Sequence, residues 1–263
     1  MNRVGFVRVG SGRGFVVAMA LLLLAALVAT FAAHTSMSTM SDMPMPSGWT
    51  MSPMWTRMCG RTWIDAAVSF VRMWIAMMTA MMLPVIAPTL WRYRATCETH
   101  ANRRTVYVGM AYLTVWAAFG IAVFPLGVAL AALVMHAPRL AHVVPIGAAG
   151  VVLIAGAGQF TAWKARRLAC CRHAWRDDQR TTTDARSAWQ YGLRMGLHCV
   201  CCCAGPTAVL LAVGMMDLRA MALVTAAIAA ERLLPAGERV AHATGIVAIG
   251  VGFFMIARLI GVV

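Results

Sequence analysis

Predominantly apolar stretches long enough to cross a bilayer recur along the whole chain, and no water-soluble fold of this length can bury that many. They cover residues 15–33, 63–90, 105–124, 143–162, 197–214, 220–234 and 244–261. At 1.5 Å of helical rise per residue, each crosses or nearly crosses a hydrocarbon core of about 30 Å. Residues 125–135 extend the third stretch, as a longer tilted helix or a re-entrant piece. Charged residues are only 12% of the chain, too few to cover a soluble surface, where about 25% is usual. The expected fold is therefore all-α: a polytopic membrane helix bundle of about seven transmembrane helices with the lipid bilayer as its solvent. Disorder, a disulfide-stapled secreted domain and a soluble enzyme are excluded.

The net charge of +14 would raise nucleic acid as a partner in a soluble protein. Here the basic residues stand in short runs between apolar stretches, which speaks for membrane topology and against nucleic acid. With the N-terminus inside, 16 Lys and Arg fall on inner segments and 4 on outer ones. That asymmetry predicts a cytoplasmic N-terminus and a multi-pass protein of a bacterial inner membrane. The first stretch is longer than the roughly 7–15 apolar residues of a cleaved signal peptide. Residues 1–33 are accordingly read as a retained signal-anchor span. Residues 34–62 become a Met-rich periplasmic loop, and 63–262 a six-helix metal-binding membrane domain. The basic segment 163–196 is an inner loop along the headgroups, with Trp163, Trp175 and Trp189 at the interface.

Sulfur is distributed unevenly. Among the 21 Met, seven lie between His34 and Arg61: Met37, Met40, Met43, Met45, Met51, Met54 and Met58. The intervening Pro, Ser, Thr and Gly argue against a helix that would bury them. Thioethers bind Cu(I) and, unlike thiols, do not pair into disulfides in an oxidising compartment. The other reading is a loop that only touches lipid or a partner. In the second stretch Met73, Met77 and Met81 form one helical stripe with Met78 and Met82 beside it, a ladder about 13 Å long. Such Met is either a metal path or apolar filler. The fifth stretch opens with Cys199, Cys201, Cys202 and Cys203. At 100° per residue Cys199, Cys202 and Cys203 share a face while Cys201 points nearly opposite. Three converging thiols suit a soft ion, although thiol redox chemistry or packing would also use them.

Charged residues inside apolar stretches need partners. Asp65 and Arg72 stand seven apart on one helical face and are expected to pair. Glu231 and Arg232 lie near the end of the sixth stretch. Gly192 and Gly196, Gly147 and Gly150, and Gly156 and Gly158 read as helix-packing surfaces. No nucleotide loop, HExxH or Ser/His/Asp arrangement occurs, so the chain is not expected to be an enzyme.

Trp74–Pro88, the Gln159, Lys164, Cys171-Arg172 stretch, Gly196–Cys203 and Glu231–Gly237 together resemble the predicted metal-binding integral membrane proteins, domain of unknown function 2182. The resemblance covers about residues 63–262. Its cysteine pattern maps onto Cys199, Cys202 and Cys203. The chain departs from it at Cys201, where Gly is usual, at Ala204, where an aromatic is common, and at Arg167, where a Cys would stand. Residues and resemblance lead to one expectation: a protein that binds Cu(I) through the cysteine trio, the Met73–Met82 ladder and the loop Met residues. It would transport copper or deliver it to a membrane copper enzyme, with a periplasmic copper chaperone as a further partner. A membrane thiol oxidoreductase and a non-metal assembly subunit are the alternatives.

Overall fold

The computed structural model describes residues 3–38, 43–44, 50–51, 53–56, 60, 62–97, 100–137, 141–177, 184–215 and 217–261, the side chains of 3–11, 37–38, 43–44, 50–51, 53 and 172–177 excepted. Among them eight α-helices follow in order: α1 (Arg3–Ser38), α2 (Trp63–Thr96), α3 (Ala101–His136), α4 (Val144–Gly158), α5 (Ala162–Asp177), α6 (Ala185–Val213), α7 (Leu218–Leu233) and α8 (Gly237–Leu259). A two-residue antiparallel ladder, Met43–Pro44 on Thr50–Met51, and a 3-10 turn at Pro53–Trp55 stand between α1 and α2. The chain is all-α in substance.

Among the described residues five helices are long and apolar enough to cross a membrane: α1 over Gly12–Ser36, α2, α3, α6 and α8. Val144–Gly158 and Ala162–Cys171 pass the same test only as a pair, bent by 69°, and make a sixth if the pair is one span. The stretch at 220–234 does form a helix, α7, but its 16 residues reach only about 24 Å. Apolar side chains cover the outside of the bundle; Leu21, Ile154 and Leu223 are 61%, 75% and 72% exposed. Such a surface is stable against lipid and not against water.

The helices outrun the apolar stretches that mark them. α3 continues through Pro125 to His136, which settles the longer-helix reading of residues 125–135. The expected loop at 163–196 is mostly helix, in α5 and the first turns of α6. Hydropathy marks immersion in lipid, whereas Ala, Leu, Arg and Lys in 162–177 favour helix wherever they lie. Asp65, expected opposite Arg72, serves the N-terminus of α2 instead. Its carboxylate accepts from the Thr62 N–H at 3.0 Å, and Thr62 Oγ1 accepts from the Asp65 N–H at 3.2 Å. That reciprocal pair satisfies two orphan donors where the helix begins.

Two packed seams organise the bundle. α3 lies along α6 and α2, and α4 lies along α8 and α6, with α7 against α2, α6 and α8. The α3–α6 seam is close because Gly192 and Gly196 have no side chains. A Cβ at Gly192 would stand 2.4 Å from the Val108 carbonyl, and one at Gly196 would stand 2.9 Å from Val115. Gly156 makes a similar approach to α8, but Gly147, Gly150 and Gly158 face open space and carry no packing role. Between α2 and α3, the buried Trp74 indole donates to the Trp116 carbonyl at 2.9 Å. Phe70 stacks beside Trp74 and tilts against Phe124, closing one half of the core with aromatic rings.

Candidate metal centre

The cysteine cluster does not sit at the start of its helix. α6 begins at Ala185, so Cys199 lies 14 residues in, about 21 Å along the axis. Periodicity does the rest. Cys199, Cys202 and Cys203 are buried at 0%, 2% and 2% exposure, while Cys201 is half-buried. The shared face expected from i,i+3 and i,i+4 spacing is present.

Four other helices bring groups to that face. From α2, the Met82 sulfur stands 3.9 Å from Cys199 Sγ. Along α6, Cys203 Sγ is also 3.9 Å from Cys199 Sγ. From α3, the Tyr112 hydroxyl is 3.0 Å from the same sulfur, and from α7 an Arg232 Nη1 donates to it at 3.0 Å. From α5, the Cys171 thiol donates to the His198 carbonyl at 3.2 Å.

This differs from three equivalent thiols. Among the described residues no three His, Cys, Asp or Glu side chains are grouped to hold a metal ion. What converges is a mixed set, with Met82 and Cys203 flanking Cys199. Three sulfurs bound to one ion at about 2.3 Å in trigonal geometry stand about 4.0 Å apart. The two 3.9 Å separations fit that spacing, and thiolate with thioether is the donor chemistry that prefers Cu(I).

The Met ladder faces the interior. Met73, Met77, Met78, Met81 and Met82 are 7%, 2%, 1%, 2% and 1% exposed, so the stripe is turned into the bundle and its Met82 end meets Cys199. Of the loop methionines, Met54 is described and buried in the same core cluster. The side chains of Met37, Met40, Met43 and Met45 lie outside the described residues, as do those of Met51 and Met58.

Below the sulfurs lies a buried ion pair, Lys164 Nζ to Glu231 Oε2 at 2.7 Å. A helical reason puts it there. Pro206 has no N–H, so the carbonyl four residues earlier, that of Cys202, loses its helical partner. Lys164 Nζ donates to that carbonyl at 2.8 Å, filling the vacancy from α5. The cluster thus ties α5, α6 and α7 together with one ammonium group. Arg167, at the position where a further cysteine would stand, lies over the Trp163 ring at 5.5 Å instead.

Periodicity found the cysteine face and the ladder, but it missed Tyr112, Cys171, Arg232 and Lys164 as their partners. Signals were there. Lys164 is the single lysine of the chain, and Glu231-Arg232 is a charged pair in an apolar stretch. Such residues are costly unless something receives them.

Residues 71–255 match the family model PpoB2, described as copper chaperone. The match covers well over half of the chain, which belongs to that family. Its role is therefore copper-related. The matched span holds the ladder from Met73, the cysteine cluster and Glu231-Arg232. No curated protein and no solved structure matches the chain.

Proposed function

We propose that the protein is a Cu(I) carrier of the bacterial inner membrane, with seven spans and a cytoplasmic N-terminus. It takes the ion from the outer side, passes it along the buried thioethers and holds it at Met82, Cys199 and Cys203. The ion is cargo, moved across the membrane or handed to a membrane copper enzyme, and a periplasmic copper chaperone is a fitting donor. No bond in a substrate is made or broken, so the protein is not an enzyme in this reading. The observation that carries it is the pair of 3.9 Å sulfur–sulfur separations centred on Cys199, at the inner end of an interior Met stripe. The exchange from neutral thioether to thiolate favours inward movement, because thiolate adds charge attraction to the same soft-donor preference.

The test is metal content of the purified protein by mass spectrometry after loading with Cu(I), beside titration of free thiols with and without a Cu(I) chelator. One ion per chain, protecting Cys199 and Cys203 from the thiol reagent until chelator is added, is the expected result. Cys199→Ser and Cys203→Ser should lose the ion and Cys201→Ser should keep it. Thiols that react equally with and without Cu(I) would sink the proposal.

A further inference from the structure

Where α4 bends by 69° into α5, the lipid-facing wall of the bundle holds a groove of about 530 Å³, with α6 as its third side. Small residues make the room. Gly158 and Gly205 have no side chain and Ala208 only a methyl group, and a Cβ at Gly158 would meet nothing within 4 Å. On α4 the lining runs from Val151 to Gly158, about 10 Å by helical rise. That is about two thirds of the depth of one hydrocarbon leaflet. Ile154 on the rim is 75% exposed, so the groove opens sideways, toward alkyl chains rather than water. An alkyl chain lying in it gains the dispersion contacts that an empty groove forfeits.

One end of the groove is polar. Trp163 lines it at 46% exposure, and the Arg167 guanidinium lies over the Trp163 ring at 5.5 Å. Arg166 Nε donates to the Ala162 carbonyl at 3.2 Å, which keeps a second guanidinium on the first turn of α5. A half-exposed Trp beside Arg is the composition of the headgroup level. Lys164 lines the same groove; Glu231 and the Cys202 carbonyl take two of its three N–H donors and leave one. No carboxylate is in the lining. Gln159 is there at 5% exposure, and its buried Oε1 meets no donor among the described residues. A buried acceptor left that way is costly, and an alkyl chain cannot relieve it.

We infer that the groove binds one phospholipid of phosphatidylglycerol chemistry. An acyl chain lies between α4 and α6, the phosphate meets Arg166, Arg167 and Lys164, and a headgroup hydroxyl donates to Gln159 Oε1. Charge selects the lipid: three cations and no carboxylate favour an anion, whereas a zwitterionic headgroup sets its own ammonium against them. The hydroxyl supplies the donor that Gln159 lacks. The site stands apart from the Cu(I) reading, since none of these contacts involves a sulfur. It makes the α4–α5–α6 junction, which Lys164 already ties together, a lipid-dependent one.

Native mass spectrometry of the full chain in detergent, titrated with lipids of matched acyl chains, counts bound lipids and copies together. Phosphatidylglycerol should bind as one molecule per chain, about 30-fold tighter than phosphatidylcholine. The Arg166→Gln, Arg167→Gln variant should lose most of that preference. Arg103→Gln, Arg104→Gln, the same charge change on α3, should keep it. Phosphatidylmethanol, equally anionic but without a headgroup hydroxyl, should bind about 2–10-fold more weakly than phosphatidylglycerol to the wild type and equally to Gln159→Met. Ala208→Leu, which fills the groove, should weaken all three lipids. Equal wild-type affinity for phosphatidylglycerol and phosphatidylcholine overturns the site without recourse to any variant. So does an equal loss in the two Arg double variants, which would leave net charge as the whole effect, or undiminished binding by Ala208→Leu. Equal binding of phosphatidylglycerol and phosphatidylmethanol to the wild type overturns the Gln159 contact. A lipid-free dimer overturns the lipid altogether, because a second copy would then cover the groove.

Discussion

Around Cys199 a single sulfur accepts from a guanidinium and meets a phenol hydroxyl, each at 3.0 Å, and has two further sulfurs at 3.9 Å. Groups that hydrogen-bond a ligand atom fix its orientation and tune its charge, and their loss commonly costs 10–100-fold in metal affinity. Arg232 has the larger share. A site of two thiolates and Cu(I) carries one net negative charge in a low-dielectric interior, and the always-protonated guanidinium balances it. Arg232→Gln should weaken Cu(I) binding about 10–100-fold in a chelator competition. Tyr112→Phe removes a neutral partner and should cost less, about 0.5–1.5 kcal/mol. Equal losses for the two variants would show that charge is not the reason. Periodicity gave the burial of Cys199, Cys202 and Cys203, because a helix face is a matter of spacing along one element. Arg232 and Tyr112 reach the same sulfur from 33 and 87 residues away, and no local pattern encodes such a meeting.

Helices were legible as immersed segments and less so as helices. The apolar part of α6 was expected from residue 197, but the helix starts at Ala185, where Ser187 Oγ accepts from the Asp184 N–H at 3.2 Å. Capping therefore fixed the true start, and hydropathy only the part that avoids water. The glycines show the same division. Gly192 and Gly196 make the α3–α6 seam, whereas Gly147 and Gly150, equally suggestive in sequence, pack against nothing. Spacing alone cannot say whether a helix has a neighbour on that face. The seam matters for the site because α3 carries Tyr112 and α6 the cysteines. Gly192→Ala places a Cβ against backbone at 2.4 Å, which no side-chain rotation relieves. A loss of at least about 1–3 kcal/mol in unfolding from detergent micelles is expected, with weaker Cu(I) binding alongside. Gly147→Ala, which meets nothing within 4 Å, should leave stability unchanged or improve it through helix propensity. Similar behaviour of the two variants would remove the close seam as an explanation.

At the scale of the whole bundle, one ammonium group holds three helices in register. Lys164 Nζ bonds Glu231 of α7 at 2.7 Å and the Cys202 carbonyl of α6 at 2.8 Å, from its own place on α5. Breaking a buried ion pair by removing one partner leaves an uncompensated charge and costs about 3–5 kcal/mol, while replacing both with apolar groups is often neutral. Glu231→Met, which strands the Lys164 ammonium, should therefore cost about 3–5 kcal/mol. The double variant Lys164→Met, Glu231→Met removes the orphaned charge but frees the Cys202 carbonyl, which Pro206 has already deprived of its helical donor. A residual loss of about 1–3 kcal/mol should remain. Adding Pro206→Ala returns an N–H at the position four residues on and should recover most of that residue, less whatever the packing around the buried Pro206 contributed. Unfolding free energies of the single, double and triple variants in one detergent check the whole chain of cause. A double variant no more stable than Glu231→Met would show that the charge pair is not what couples the helices. A triple variant no better than the double would show that Lys164 does not stand in for the bond that Pro206 removes.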